Sequence, residues 1–163
     1  MRPFADPLLA DVERLYTERF SDFVRVAQAI LGDRERALEA VQEGFAGVIR
    51  GRRAFRREAP LEAWVWRAVV NAARKAARRP LVEVGLAQPE PVELPPALPE
   101  LAPLVASLPE RQRLAVFLRY YADLDYRTIG AVLGIETGTV SATLAAAHAS
   151  VRRALREVQD VRC

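Results

Sequence analysis

Apolar residues recur along this chain at steps of three and four, and nowhere at the steps of two that a half-buried strand would need. Leu8, Val12, Leu15, Phe23, Ala27 and Ile30, with Tyr16 and Phe20 alongside, predict a first helix that breaks at Gly32-Asp33. Asp33 suits the cap of the next helix, whose stripe is Ala37, Leu38, Val41, Phe45 and Val48 and whose end is Gly51. Gly44 and Gly47 inside it each cost about 1 kcal/mol against Ala, which points to close packing there. Pro60 opens a third helix running through Arg79, with Leu61, Trp64, Val65, Ala68 and Ala72 expected on its inner side.

Prolines then interrupt the pattern. Seven of the eleven fall between Pro80 and Pro103, a density that no helix interior or central strand tolerates. The stretch reads as an extended linker over 80–99, between units at 1–79 and 100–163. Beyond it a short helix is expected from Pro99 to Leu108, and Ser107 with Glu110 three residues on suggests a capping box. Leu114, Phe117, Leu118 and Tyr121 make the next stripe. From Asp125 to Leu133 the pattern is that of a short helix closing on Gly134, a residue suited to positive φ. Ile135 then turns inward and a long helix follows Thr137-Gly138-Thr139-Val140. This is a helix-turn-helix, the second helix being the one such modules lay in the major groove. Ile129, Val132, Leu133, Val140, Leu144 and Val151 complete its core. The expected fold class is all-α: two small helical domains joined by a Pro-rich acidic linker, the C-terminal one a helix-turn-helix.

Charge changes the picture because it is unevenly spread. Residues 1–80 carry 16 bases against 11 acids, residues 81–110 no base and five acids, and residues 111–163 eight bases against five acids. The blocks of +5, −5 and +3 sum to the net +3. Two basic modules flanking an acidic strap fit polyanion binding at each end. Of the 24 bases only Lys75 is not Arg. Arg67, Asn71, Arg74 and Arg78 share one face of the third helix, at offsets of four, seven and eleven. Just before it stand Arg52, Arg53, Arg56 and Arg57, interleaved with Phe55. Cations that track phosphates beside a ring that stacks a base are what single-stranded nucleic acid requires. A solvated basic face with Phe55 packed on Trp64 fits the same residues.

Catalysis has little to work with. The one His, His148, has no second His or Cys near it, and the one Cys, Cys163, rules out an intrachain disulfide and a Cys-based metal site. No catalytic, cofactor or metal residue is expected. The start of the chain has no long apolar run or cleavage signal, and no stretch reaches membrane-span length; a cytoplasmic protein without membrane insertion is the expectation.

Taken in order, these pieces resemble a bacterial RNA polymerase sigma factor of the sigma-70 family, extracytoplasmic-function type. In the first unit the likeness rests on Leu31-Gly32-Asp33, Glu39-x-x-Gln42-Glu43-x-Phe45, Phe55-Arg56, and Trp64-Val65-x-Arg67 with Asn71 and Arg78-Arg79. In the second it rests on Leu108-Pro109-x-Arg111-Gln112-Arg113, Leu118-Arg119-Tyr120-Tyr121, Tyr126-x-x-Ile129, and Leu133-Gly134-Ile135 with Gly138-Thr139-Val140. The resemblance implies that Glu39, Gln42 and Glu43 face core RNA polymerase. It implies that Arg52, Arg53, Phe55, Arg56, Arg57, Arg67, Asn71, Arg74 and Arg78 open and hold the −10 strand of promoter DNA. It further implies that Arg127, Thr128, Thr137, Thr139, Ser141, Thr143, His148 and Arg152 meet the −35 duplex, and that an anti-sigma factor is a partner. One departure stands out: between Arg127 and Arg152 there is no base, where the family usually has several after Gly-Thr-Val. Each missing phosphate contact lowers the salt slope by about one unit, so the second unit is expected to hold DNA poorly unless polymerase tethers it. A sigma-like helix-turn-helix regulator acting without polymerase, and a decoy that occupies polymerase or an anti-sigma factor without melting DNA, remain as alternatives.

Overall fold

The computed structural model describes residues 6–79 and 101–163. Its elements are α1 (Pro7–Leu31), α2 (Arg34–Gly51), one 3-10 turn (Arg52–Ala54), α3 (Leu61–Ala77), α4 (Ala102–Ala106), α5 (Glu110–Tyr120), α6 (Tyr126–Leu133) and α7 (Thr137–Val161). Among the described residues no strand forms, as the three- and four-residue periodicity requires. The linker expected over 80–99 lies outside the described residues, as does the start of the helix expected from Pro99; α4 is what is described of that helix. Among the described residues no single helix is long and apolar enough to cross a membrane.

Local chemistry sets several of the helix ends. The Leu8 N–H donates to Asp6 Oδ1 at 3.1 Å, capping α1. Gly32 closes α1 at φ 69° and donates its N–H to the Gln28 carbonyl at 2.7 Å. Asp33 then accepts the Arg36 N–H at 2.8 Å and starts α2.

The first three helices pack around an aromatic centre. Phe23 meets Phe45 edge-on at 5.0 Å and Trp66 at 4.1 Å. The inner face expected for α3 needs correcting here. Trp66, not Trp64, is the fully buried tryptophan, with Ala63, Val65, Val69, Val70 and Ala73, whereas Leu61, Trp64, Ala68 and Ala72 are half-buried. The reason is that α3 packs on α1 and α2 together, so its buried arc is wider than one stripe and is centred elsewhere. Close packing is found at Gly44 but not at Gly47. A Cβ on Gly44 would lie 2.8 Å from Val69 Cα, whereas one on Gly47 would meet nothing nearer than the Arg50 guanidinium at 4.0 Å.

In the second unit Leu114, Phe117, Leu118, Ile129, Val132, Val140, Leu144 and Ala147 form the interior. The capping box at Ser107 does not form. Pro109 (φ −52°) is the residue before α5, which puts Ser107 too early to cap it; the Ser107 hydroxyl donates to the Leu104 carbonyl at 2.7 Å instead. Glu110 thereby becomes the first residue of α5. The helix-turn-helix is as expected. Asp125 accepts the Thr128 N–H at 2.7 Å, Gly134 closes α6 at φ 69°, and α6 and α7 meet at 95°. Gly130 permits the turn, because a Cβ there would sit 2.7 Å from the Ile135 carbonyl oxygen.

That cap carries a pH signature. The Thr128 backbone N–H, then its hydroxyl, holds the Asp125 carboxyl below its ordinary value, with smaller help from Arg127 and Arg119. A depressed folded pKa means stability that is present above the unfolded value and lost as pH falls through the folded one. Asp125→Ala is expected to cost about 1 kcal/mol at pH 7. In thermal melts followed by circular dichroism, that gap from the parent should close once pH drops below the carboxylate range.

The two units do not stand apart. α3 lies against α6 and α1 against α5, and buried side chains from both sides join one core. Units of 60–80 residues bury only about 60% of their surface alone, so docking covers apolar surface that each would otherwise leave wet.

Candidate nucleic-acid interface

The 3-10 turn, the loop after it and the outward face of α3 form one basic surface. Within it the arginines are not equivalent. Arg52 folds back, its Nε donating to Asp6 Oδ2 at 3.2 Å and its Nη1 to the Ile49 carbonyl at 2.7 Å; it holds the turn. Arg53, Arg56, Arg57, Arg67 and Arg78 are exposed and, among the described residues, make no ion pair. Arg57 adopts φ 56°, a left-handed conformation uncommon for a residue other than glycine. Phe55 lies over Trp64 with ring centroids 4.9 Å apart and planes 26° from parallel. Both rings are half-buried, so the pair offers an edge to solvent instead of disappearing into the core. Beside it is a cavity of about 250 Å³ lined by Arg56, Arg57, Trp64, Arg67 and, from the second unit, Ala131.

Along α3, Arg67, Asn71 and Arg78 are exposed on the shared face that their spacing predicts. Arg74 is on that face too but is half-buried, and its Nε donates to Glu110 Oε1 at 2.9 Å. The Phe55–Trp64 contact is the one the sequence offered as the alternative to a free stacking ring, whereas Glu110 as the partner of Arg74 was missed, since that pairing has no spacing rule.

On α2, Glu39, Gln42 and Glu43 are exposed. Glu43 accepts from Arg50 at 3.0 Å, an exposed pair of little energetic weight. Ile49, seven residues after Gln42 and so on its face, is an exposed large apolar side chain that no periodicity had singled out.

The helix-turn-helix surface is sparse. Arg127, Thr137, Thr139, Ser141 and Arg152 are exposed and Thr128 is half-buried. Thr143 is withdrawn from the expected set: it is buried, and its hydroxyl donates to the Thr139 carbonyl at 2.7 Å. His148 is half-buried, with Nε2 at 2.8 Å from the Tyr120 hydroxyl, which ties α7 to α5. The outer face between these residues is filled by Ala142, Ala145, Ala146 and Ala149. Tyr120, prominently exposed, was not foreseen. Its neighbour Tyr121 is turned inward: burial raises its phenol above the ordinary value, and the Arg25 guanidinium 5.7 Å from the ring centre opposes this.

Comparison with known proteins finds a family match in each part of the chain. Residues 15–80 match the family model for sigma-70 region 2, and residues 100–156 match that for sigma-70 region 4. No curated protein sequence matches significantly. Among solved structures, the chain superposes on CnrH, determined in complex with the cytosolic domain of CnrY, with a TM-score of 0.71 and 18% identity, covering 91% of this chain and 90% of CnrH. It superposes also on the sigma factor RpoE from Bartonella quintana, determined with the anti-sigma factor NepR, with a TM-score of 0.63 and 19% identity, covering 96% of this chain and 98% of RpoE. At these identities the likeness is one of fold.

Proposed function

Because the chain belongs to the sigma-70 family, in the region 2 plus region 4 build of the extracytoplasmic-function type, we propose that it binds core RNA polymerase and directs promoter recognition and melting. The family is not an enzyme class. The N-terminal unit, about residues 1–79, would dock on polymerase through Glu39, Gln42, Glu43 and Ile49 of α2. Its basic surface would open and hold the −10 strand. The C-terminal unit, about residues 100–163, would rest on the −35 duplex through Arg127, Thr137, Thr139, Ser141 and Arg152.

The observation that carries this reading is the Phe55–Trp64 stack beside Arg56, Arg57 and Arg67. A base leaving the duplex costs a few kcal/mol. Stacking on an aromatic edge returns about 1–3 kcal/mol per base, and the cations hold the phosphates on either side. The neutral outer face of α7 supports weak duplex contacts that need tethering through polymerase, where effective concentration compensates. The solved complexes of CnrH with CnrY and of RpoE with NepR support a dedicated protein partner for this chain as well. That same neutral helix favours one other reading, a decoy that occupies polymerase without melting DNA.

Run-off transcription with core polymerase separates the readings: initiation supports a sigma factor, inhibition a decoy, and no dependence on core a free-standing regulator. In a parallel pulldown, Gln42→Ala with Glu43→Ala is expected to weaken capture of core polymerase about tenfold, or roughly 1.4 kcal/mol.

A further inference from the structure

Tyr120 and His148 make a side-chain pair that the promoter contacts named above leave unused. The Tyr120 hydroxyl, at the end of α5, lies 2.8 Å from His148 Nε2 on α7, and the two rings tilt at 42° with centroids 5.8 Å apart. Tyr120 is 58% exposed. At 3.6 residues per turn, Thr137, Ser141, Ala145, His148 and Arg152 fall within an arc of about 80° on α7. The other four are exposed and His148 is half-buried, so Tyr120 reaches from α5 onto the face that carries the candidate duplex contacts. His148 stands roughly 16 Å along the helix from Thr137. A helix that enters a major groove about 12 Å wide by its N-terminus has crossed it by that level. Side chains there meet the sugar-phosphate backbone, not base edges.

We propose that Tyr120 and His148 together grip a backbone phosphate of duplex DNA, and that they do so when the imidazole is protonated. The inference rests on the reading of α7 as the helix that meets the −35 duplex. No Arg or Lys stands between Arg127 and Arg152, so a protonated His148 supplies the cation that this stretch lacks. The proton also changes what Tyr120 can offer. A bare Nε2 accepts the hydroxyl proton and leaves Tyr120 no donor for an anion. A protonated ring donates from Nε2 to the hydroxyl oxygen, and the O–H is free to donate outward to a phosphate oxygen. The surroundings leave that proton to the DNA. α4 brings no titratable group. From α5, Arg119 is held by Asp123 at 3.5 Å, Tyr121 is turned inward, and Glu110 is engaged by Arg74. From α6, Tyr126 lies beneath Arg119 and Arg127 is exposed. On α7 itself the nearest charges are Arg152 and Arg153, with Glu136 and Glu157 more than two turns away. Among the described residues no carboxylate pairs with His148.

The test uses the full chain and a short fluorescein-labelled DNA duplex of mixed sequence at low salt. His148 is the only histidine, so one imidazole signal in the proton NMR spectrum reports it without assignment. Adding duplex should move the midpoint of that signal's titration upward by about one pH unit, because the proton and the phosphate strengthen each other by the same factor. Fluorescence anisotropy should show the counterpart, an affinity that falls about tenfold as pH rises from about 6 to 8. His148→Gln keeps a hydrogen-bonding partner for Tyr120 but carries no charge, and should abolish the fall. His148→Arg should bind at the parent's low-pH strength throughout. Tyr120→Phe should weaken binding several-fold at low pH and little at high pH. A pair that merely ties α7 to α5 would lower melting temperature in these variants and leave the pH dependence as in the parent. Circular dichroism identifies a variant that fails to fold, and the imidazole titration of the parent then carries the test. A midpoint that duplex does not move, a pH dependence that survives His148→Gln, or no duplex binding by the parent at the lower pH overturns the proposal. Failure of the parent in run-off transcription would count against the sigma reading alone, since duplex binding is measured without polymerase.

Discussion

Trp66→Ala should unfold the N-terminal unit at temperatures where the parent is intact, while Trp64→Ala should leave it folded. Trp66 is fully buried against Phe23, at a ring distance of 4.1 Å, in the middle of the α1–α2–α3 core. Truncating a buried tryptophan costs about 3–5 kcal/mol through lost transfer energy and the cavity left behind. For a chain of this size that is a fall of roughly 6–20 °C in melting temperature. The indole N–H of Trp66 has no partner among the described residues, so Trp66→Phe sacrifices no hydrogen bond and should recover most of the loss. Trp64 is half-buried and stacks only on a loop residue, so its removal should cost little stability and appear in strand binding instead. Equal melting temperatures for the two alanine variants would mean that the core has been assigned to the wrong face of α3.

The second large effect is expected at Phe55. If its ring holds an unpaired base against Trp64, Phe55→Ala forfeits about 1–3 kcal/mol. This is roughly a 5- to 150-fold drop in open-complex formation. Capture of core polymerase should not change, because the candidate docking residues lie on α2. Permanganate reactivity of promoter thymines in a reconstituted initiation assay reads the melted strand directly. Arg56→Glu with Arg67→Glu should lower the same signal and make it less sensitive to salt, since each lost phosphate contact on single-stranded DNA reduces the slope by about 0.7. Undiminished melting by Phe55→Ala would reduce the Phe55–Trp64 pair to a structural contact, which was the competing sequence reading.

The pairings that failed or went unseen have a common cause. Ser107 looked like a cap by its spacing to Glu110, but the helix starts two residues later, with Pro109 in the cap position, and Glu110 pairs with Arg74, 36 residues away. Thr143 and Ser141 are equivalent in composition and differ only in which side of α7 meets the core. The docking of one unit on the other joins positions more than a hundred residues apart, such as Arg19 and the Ala122 carbonyl, and no local pattern encodes it.

Chain chemistry alone therefore specified an all-helical protein with its breaks at Gly32-Asp33 and Gly134. It also specified a helix-turn-helix starting at Asp125 and a basic face on the third helix. These follow from caps, φ preferences and a 3.6-residue period, all of which act within a few residues. Which tryptophan is core, which arginines keep their charge for a ligand, and how the units lie on each other came only with the folded chain. Those outcomes depend on burial against distant neighbours, where apolar area shared among several helices outweighs the preference of any one of them.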